Sequence, residues 1–148
     1  MKLEIDLVPS TAWYSNLRKK VSQKDWDRIR KQSYAEANYR CAICDADSRL
    51  NCHEIWEYDD DTHIQKLAGF VALCNDCHMI KHLGFAGIQA SKGLLDMDKL
   101  IDHFMKVNGV DINVFEDHRN HSFEQWRKRS THPWETELSK WAGLVNSH

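Results

Sequence analysis

No stretch of the chain approaches eighteen consecutive apolar residues, which excludes a transmembrane helix from the expectations. The opening MKLEIDLVPS places acids where a secretion signal needs an unbroken apolar run, so a cytoplasmic location is expected. Internal repeats and low-complexity segments are missing as well. Neither charge is in excess: 20 Lys and Arg stand against 22 Asp and Glu, a formal net charge of −2 that gives no global attraction to nucleic acid. An even set of cysteines is also lacking. Five suit a secreted disulfide scaffold poorly, and four of them fall into two C-x-x-C pairs, which in a reducing compartment points to metal.

What is present is an ordinary globular composition, 42% hydrophobic and 28% charged over 148 residues. That length suffices for one domain with a core that needs no disulfides. Leu3, Ile5 and Leu7 alternate with Glu4 and Asp6, which predicts a short strand ended by Pro9. Ser22-Gln-Lys-Asp25 resembles a capping box, and Trp26, Ile29, Tyr34 and Ala37 follow at helical spacing, predicting a helix over 23–37 with Trp26 and Tyr34 in the core.

Residues 49–56 suit a strand and 70–73 its antiparallel partner, with a solvated acidic loop containing Glu57-Tyr-Asp-Asp-Asp61 between them. A short helix starts at Asn75 or Asp76 and carries His78 and His82 on one face, because residues four apart stack. Met97 to Asn108 reads as a helix with Leu100, Ile101 and Phe104 buried and Gly109 as its stop. Asn113 is the expected cap of a last helix running to Arg129, and Trp134 and Trp141 are expected to anchor the tail.

Zinc takes four soft ligands in a tetrahedron, and C-x-x-C lets two thiolates from one tight turn reach the same ion. Cys41/Cys44 and Cys74/Cys77 are separated by room for a two-stranded hairpin, and a structural Zn2+ held by all four is predicted. Cys52 reads as a small buried hydrophobe on the first strand. With Cys74 and Cys77 committed to zinc, His78 and His82 are free to face the hairpin, across from His53-Glu54 in NCHEIWEY. One histidine on a strand and two on a facing helix suit phosphodiester cleavage, in which a divalent ion neutralises phosphate charge and an imidazole activates water.

The stretch CAIC…CHEIWEY…LCNDCHMIKH, residues 41–82, resembles the HNH (His-Asn-His, ββα-metal) endonuclease family, in the version braced by a four-cysteine zinc. The resemblance implies an α+β chain with a small, zinc-braced, treble-clef-like ββα-metal core and flanking helices. It places an N-terminal strand and helix in 1–40, the core in 41–83 and a helical extension in 84–148 of a single domain. It implies metal-dependent cleavage of DNA leaving 5′-phosphate and 3′-hydroxyl ends. His78 would be the last histidine of the motif and a metal ligand, and His82 is similar to the ligand that colicin-type members add four residues later. The catalytic ion would be Mg2+ or another divalent ion such as Mn2+ or Ni2+.

Two registers of the first strand remain open. In one, His53 is the general base; in the other, His53 binds metal and Glu54 takes the base position, where an ordinary carboxyl pKa near ~4.3 makes a weaker base. His53 is the preferred reading. The middle asparagine of the family falls near Gly69, and Gln65 or the acidic loop are the available substitutes. Double-stranded DNA of low intrinsic specificity is the expected partner, held at phosphates by Arg28, Arg30, Lys31, Lys81, Arg127, Lys128 and Arg129, with a protein partner supplying specificity or regulation. The competing expectation is a zinc-stabilised binding module that keeps the scaffold without catalysis. A purely structural adaptor has no motif in its favour. His63, His103, His118, His121, His132 and His148 are read as incidental.

Overall fold

The computed structural model of the chain describes residues 1–12 and 17–145, so His148 lies outside the described residues. Ser22 opens helix α1 (Gln23–Glu36) as predicted: its Oγ accepts the Asp25 amide at 3.1 Å and lies 3.0 Å from the Asp25 carboxylate. Trp26, Ile29 and Ser33 form the buried face of α1, and the half-buried Tyr34 donates its hydroxyl to the Leu50 carbonyl at 3.2 Å.

The hairpin is longer than the sequence pattern predicts. Strands β1 (Leu50–Asp59) and β2 (Ile64–Cys74) pair antiparallel over their full lengths, so Glu57, Tyr58 and Asp59 belong to the ladder rather than to a loop. The turn is confined to 60–63, where the Asp59 carboxylate accepts the Asp61 and Thr62 amides. The pairing steps from Ile55↔Gly69 to Trp56↔Leu67, which leaves Ala68 as an extra residue. That bulge puts Leu67 on the same face as Phe70, three residues away, and both pack with Trp26, Ile29 and Trp56. A three-residue offset is invisible to a search for alternation, and the β2 pattern before Phe70 therefore escapes sequence reading.

β2 is the central strand. Its other edge pairs in parallel with the short β3 (Glu135–Glu137), so the 84–148 region contributes a strand as well as helices. Trp134 is buried, with its indole N–H donated to the Arg129 carbonyl at 2.7 Å, and Trp141 meets the Phe70 ring edge-on at 5.3 Å. Both tryptophans do anchor the tail.

Residues 3–9 are not a strand. Leu3 and Ile5 are buried, as their alternation requires, but the backbone is held by side chains instead of a ladder. Asn108 clasps Leu3 with two 2.9 Å hydrogen bonds, the Ile5 amide donates to His118 Nε2 at 2.9 Å, and Trp126 Nε1 donates to the Val8 carbonyl. The Asp6 amide donates to the Lys81 carbonyl at 3.1 Å. Period-two burial without a neighbouring strand gives an extended arm, and the helices supply the partners its polar groups need.

Among the described residues four more α-helices follow, α2 (Asn75–Lys81), α3 (Leu83–Ser91), α4 (Met97–Asn108) and α5 (Ile112–Arg129), with short 3-10 helices at Leu17–Lys19 and Ser139–Leu144. α4 matches its prediction, ending at Gly109 with φ +64°, the left-handed conformation that glycine adopts without penalty. The cap of α5 is Asp111, not Asn113; its carboxylate accepts the Val114 amide at 3.1 Å. Leu3, Ile5, Leu73, Ile80, Leu83, Leu100, Phe104 and Phe115 form the larger core between the arm and these helices. The smaller core lies between α1 and β2. Among the described residues, no helix is long and apolar enough to cross a membrane.

Candidate metal centres

The first centre joins three points of the chain. Cys41 and Cys44 lie in the turn after α1, Cys74 ends β2, and Cys77 sits in the first turn of α2. All four Sγ atoms lie within 4.8 Å of one another, so the cysteines are positioned to bind one metal ion. Tetrahedral zinc with ~2.3 Å bonds to sulfur needs S–S edges of about 3.8 Å. The Cys44–Cys74 separation is 3.6 Å. α2 starts at Asn75, within the predicted choice, and Cys74 caps it, its sulfur accepting the Cys77 amide at 3.5 Å.

The electrostatics point the same way. Hydrogen bonds from Cys74 and Cys77 pull the Cys41 thiol far below its ordinary range, while Cys41 pushes Cys74 up to about 11 and Cys77 far up. Cys41, Cys74 and Cys77 compete for negative charge unless a cation compensates them, and Zn2+ fits the four-sulfur donor set. Cys52 stands apart from the cluster. Burial pushes its thiol up to about 11 and the Ser33 hydroxyl lies 3.5 Å from its sulfur, as expected of a packed cysteine.

His103 is not incidental. It reaches from α4 to place Nε2 3.2 Å from Cys77 Sγ, tying the second helix layer to the cluster. His118 is likewise used, as the acceptor for Ile5 and a ring stacked on Phe104. His63 and His132 stack on one another at 4.1 Å between the hairpin turn and the end of α5.

The second centre uses the histidines that follow Cys77 along α2. His78 and His82 project from α2 and its C-terminal cap, and His53 comes from β1. Ring centroids are 5.4 Å apart for His53–His78, 5.0 Å for His53–His82 and 4.7 Å for His78–His82. One nitrogen of each lies within 4.8 Å of the others, the spacing at which a single ion bridges all three. Burial holds His78 and His82 down to about 4, so both are neutral donors at physiological pH. His53 is 4% exposed, and both of its ring nitrogens are buried without a hydrogen-bond partner. An orphaned buried nitrogen costs roughly 1–3 kcal/mol, which an ion or an ordered water at the centre would relieve.

Glu54 is not brought to these histidines. Successive strand residues face opposite ways, and Glu54 points toward α1. It accepts the Leu17 amide at 2.5 Å and the Trp56 indole N–H at 3.2 Å. Burial pushes its carboxyl up to about 7 from an ordinary 4.5. The unfolded chain therefore loses this proton before the folded one does, and stability falls as pH rises from about 4.5 to about 7, by roughly 3 kcal/mol, and then levels. Glu54→Gln is expected to remove that slope; the difference between wild-type and variant urea midpoints across this range measures it. A constant difference at every pH would show that Glu54 keeps an ordinary carboxyl in the fold.

The centre opens into a cleft of about 790 Å³ along the free edge of β1, whose walls include His53, His78, His82, Arg30, Arg49 and Trp56. The predicted phosphate-binding cations are dispersed and mostly paired. Arg28 bonds to Asp25, Arg30 to Asp27, and Lys128 lies 3.6 Å from Glu124. Arg129 makes two hydrogen bonds to Asp60, at 2.8 and 3.0 Å, and lies over the Tyr58 ring. Lys81 is 3.1 Å from Asp6, beside the histidines. Lys31 and Arg127 are exposed on α1 and α5. Comparison of the chain with family models, curated proteins and solved structures returned no match.

Proposed function

We propose that the chain is a metal-dependent endonuclease of the HNH, ββα-metal kind, hydrolysing phosphodiester bonds of DNA at the histidine centre. The observation that carries the reading is the convergence of the buried His53 from β1 with the half-buried His78 and His82 from α2 and its cap, in a cluster that opens into a cleft. A long hairpin, a helix directly after it and a four-cysteine cluster at their junction are the layout that the resemblance of residues 41–82 implies.

Roles follow from the surroundings of each residue. His78 and His82 stay neutral at physiological pH and are suited to hold a divalent ion. When bound, that ion supplies positive charge for the scissile phosphate and the leaving oxygen. His53, at 5.0 Å from His82 and without a hydrogen-bond partner, takes the proton of the attacking water. Glu54 faces away, and this favours His53 over Glu54 as the base. Imidazole donors favour Mn2+, Ni2+ or Zn2+ over Mg2+, which prefers oxygen. Phosphates entering the cleft meet Arg30, already paired with Asp27, and Arg49, so binding is expected to be weak, sensitive to salt and without base readout.

Nicking of supercoiled plasmid by the zinc-loaded protein tests this reading. Conversion to open circles on adding Mn2+ or Ni2+, prevented by a chelator too weak to strip the cysteine site, is the expected result. A folded, zinc-loaded protein that nicks neither DNA nor RNA with any of these ions would replace it with a zinc-stabilised binding module on the same scaffold.

A further inference from the structure

The N-terminal arm brings one more charged group to the histidine centre. Asp6 lies 47 positions before His53 in the chain, yet its Oδ2 is 3.9 Å from His53 Nε2 and 3.1 Å from Lys81 Nζ. The arm is not free to drift, because its backbone is bonded to Asn108, His118, Lys81 and Trp126 on either side of this residue. Lys81 sits on α2 between the two α2 histidines in sequence, so the ammonium that steadies the carboxylate belongs to the element that carries His78 and His82. Asp6 does not join the group of nitrogens that share one ion position. Of the three histidines, His53 is the one whose ring nitrogen lies within 4 Å of its carboxylate.

We infer that Asp6 is the positioning residue of His53: its carboxylate takes the Nε2–H of the imidazole, which fixes the neutral tautomer and leaves the Nδ1 lone pair for the water or ion at the centre. The inference rests on reading the three histidines as a catalytic centre. Among the described residues no hydrogen-bond partner reaches either nitrogen of this buried ring, and Asp6 is the charged group facing Nε2. The Asp6 side chain is half-exposed, and the hydrogen bond requires its 3.9 Å separation from Nε2 to shorten to about 3 Å. A carboxylate behind an imidazole both selects the tautomer and stabilises the cation that forms when the ring accepts a proton. The arm thus does more than cover the core. It completes the site from a part of the chain that carries no motif.

The test uses the full chain with its cysteine site loaded with zinc. Long-range 1H–15N correlation spectra at mildly alkaline pH report which nitrogen of His53 bears the proton, with no need of activity or of a second ion. The expected result is an Nε2–H tautomer in the wild type and in Asp6→Asn, whose carboxamide oxygen can still accept. In Asp6→Ala the tautomer is lost or mixed. Nicking by Asp6→Ala should fall by about 10- to 100-fold, with partial rescue in Asp6→Asn and unchanged Co2+ affinity at the histidines, read from the d–d bands. A charge-transfer band from thiolate to cobalt would reveal any exchange at the cysteines. An Nδ1–H tautomer in the wild type, or one unmoved by Asp6→Ala, overturns the inference even if the protein nicks DNA. Absence of nicking in the wild type overturns the nuclease reading instead, and the tautomer of His53 still decides the role of Asp6.

Discussion

Cys77→Ser is expected to leave the chain largely unfolded at 25 °C and without bound zinc. Cys77 is fully buried, and its sulfur faces Cys41, Cys74 and His103. The cluster fastens the turn after α1, the end of β2 and the start of α2 to one point. Structural zinc contributes on the order of 10–16 kcal/mol of apparent binding free energy in small domains. Net stabilities of whole domains are only about 5–15 kcal/mol, so an ion held by these cysteines would decide whether this junction folds. Losing one ligand also leaves Cys41, Cys44 and Cys74 with an incomplete donor set for the ion. Far-UV circular dichroism with metal analysis checks this, and stripping the wild type with a strong chelator should reproduce the variant. Cys52→Ser is the control: it lies outside the cluster and should keep one zinc per chain, with a loss of about 1 kcal/mol. A Cys77→Ser protein that is zinc-free yet melts like the wild type would remove the cluster from any structural role.

His53→Ala should lower the nicking rate by about 10²- to 10⁴-fold, the range that a positioned general base supplies. The buried ring of His53 faces both α2 histidines, and its removal takes away the nearest proton acceptor while leaving two neutral imidazoles to hold the ion. Co2+ should therefore still bind to His53→Ala, whereas His78→Ala should lose both ion binding and nicking. This split separates the base from the ligands. Both variants must retain zinc at the cysteines, so that lost activity reports lost chemistry. Wild-type nicking by His53→Ala, together with loss in Glu54→Gln, would transfer the base to the other face of β1. Equal loss of ion binding in His53→Ala and His78→Ala would make His53 a ligand.

Local patterns along the chain determined a good part of this protein. The two C-x-x-C turns, the four-residue spacing of His78 and His82, the capping box at Ser22 and the stop at Gly109 each depend on residues within one or two turns of each other. Short-range geometry carries such information, because the hydrogen bonds that satisfy a cap or a knuckle are made by neighbours. The choice between His53 and Glu54 is different in kind. Adjacent strand residues always face opposite ways, but only the packing of α1 on one side of β1 and α2 on the other says which side each meets.

The same holds for the Ala68 bulge, which breaks the alternation of β2 so that Leu67 and Phe70 can share the α1 face. Alternation at 3–7 suits the burial of Leu3 and Ile5, yet it could not distinguish a strand from an arm clasped by Asn108 and His118. Asp6 beside His53, His103 on Cys77 and β3 along β2 are contacts between segments distant in sequence. Their partners are set when several apolar faces are buried at once, a competition that no single segment encodes, and only the tertiary structure brings that competition to one answer.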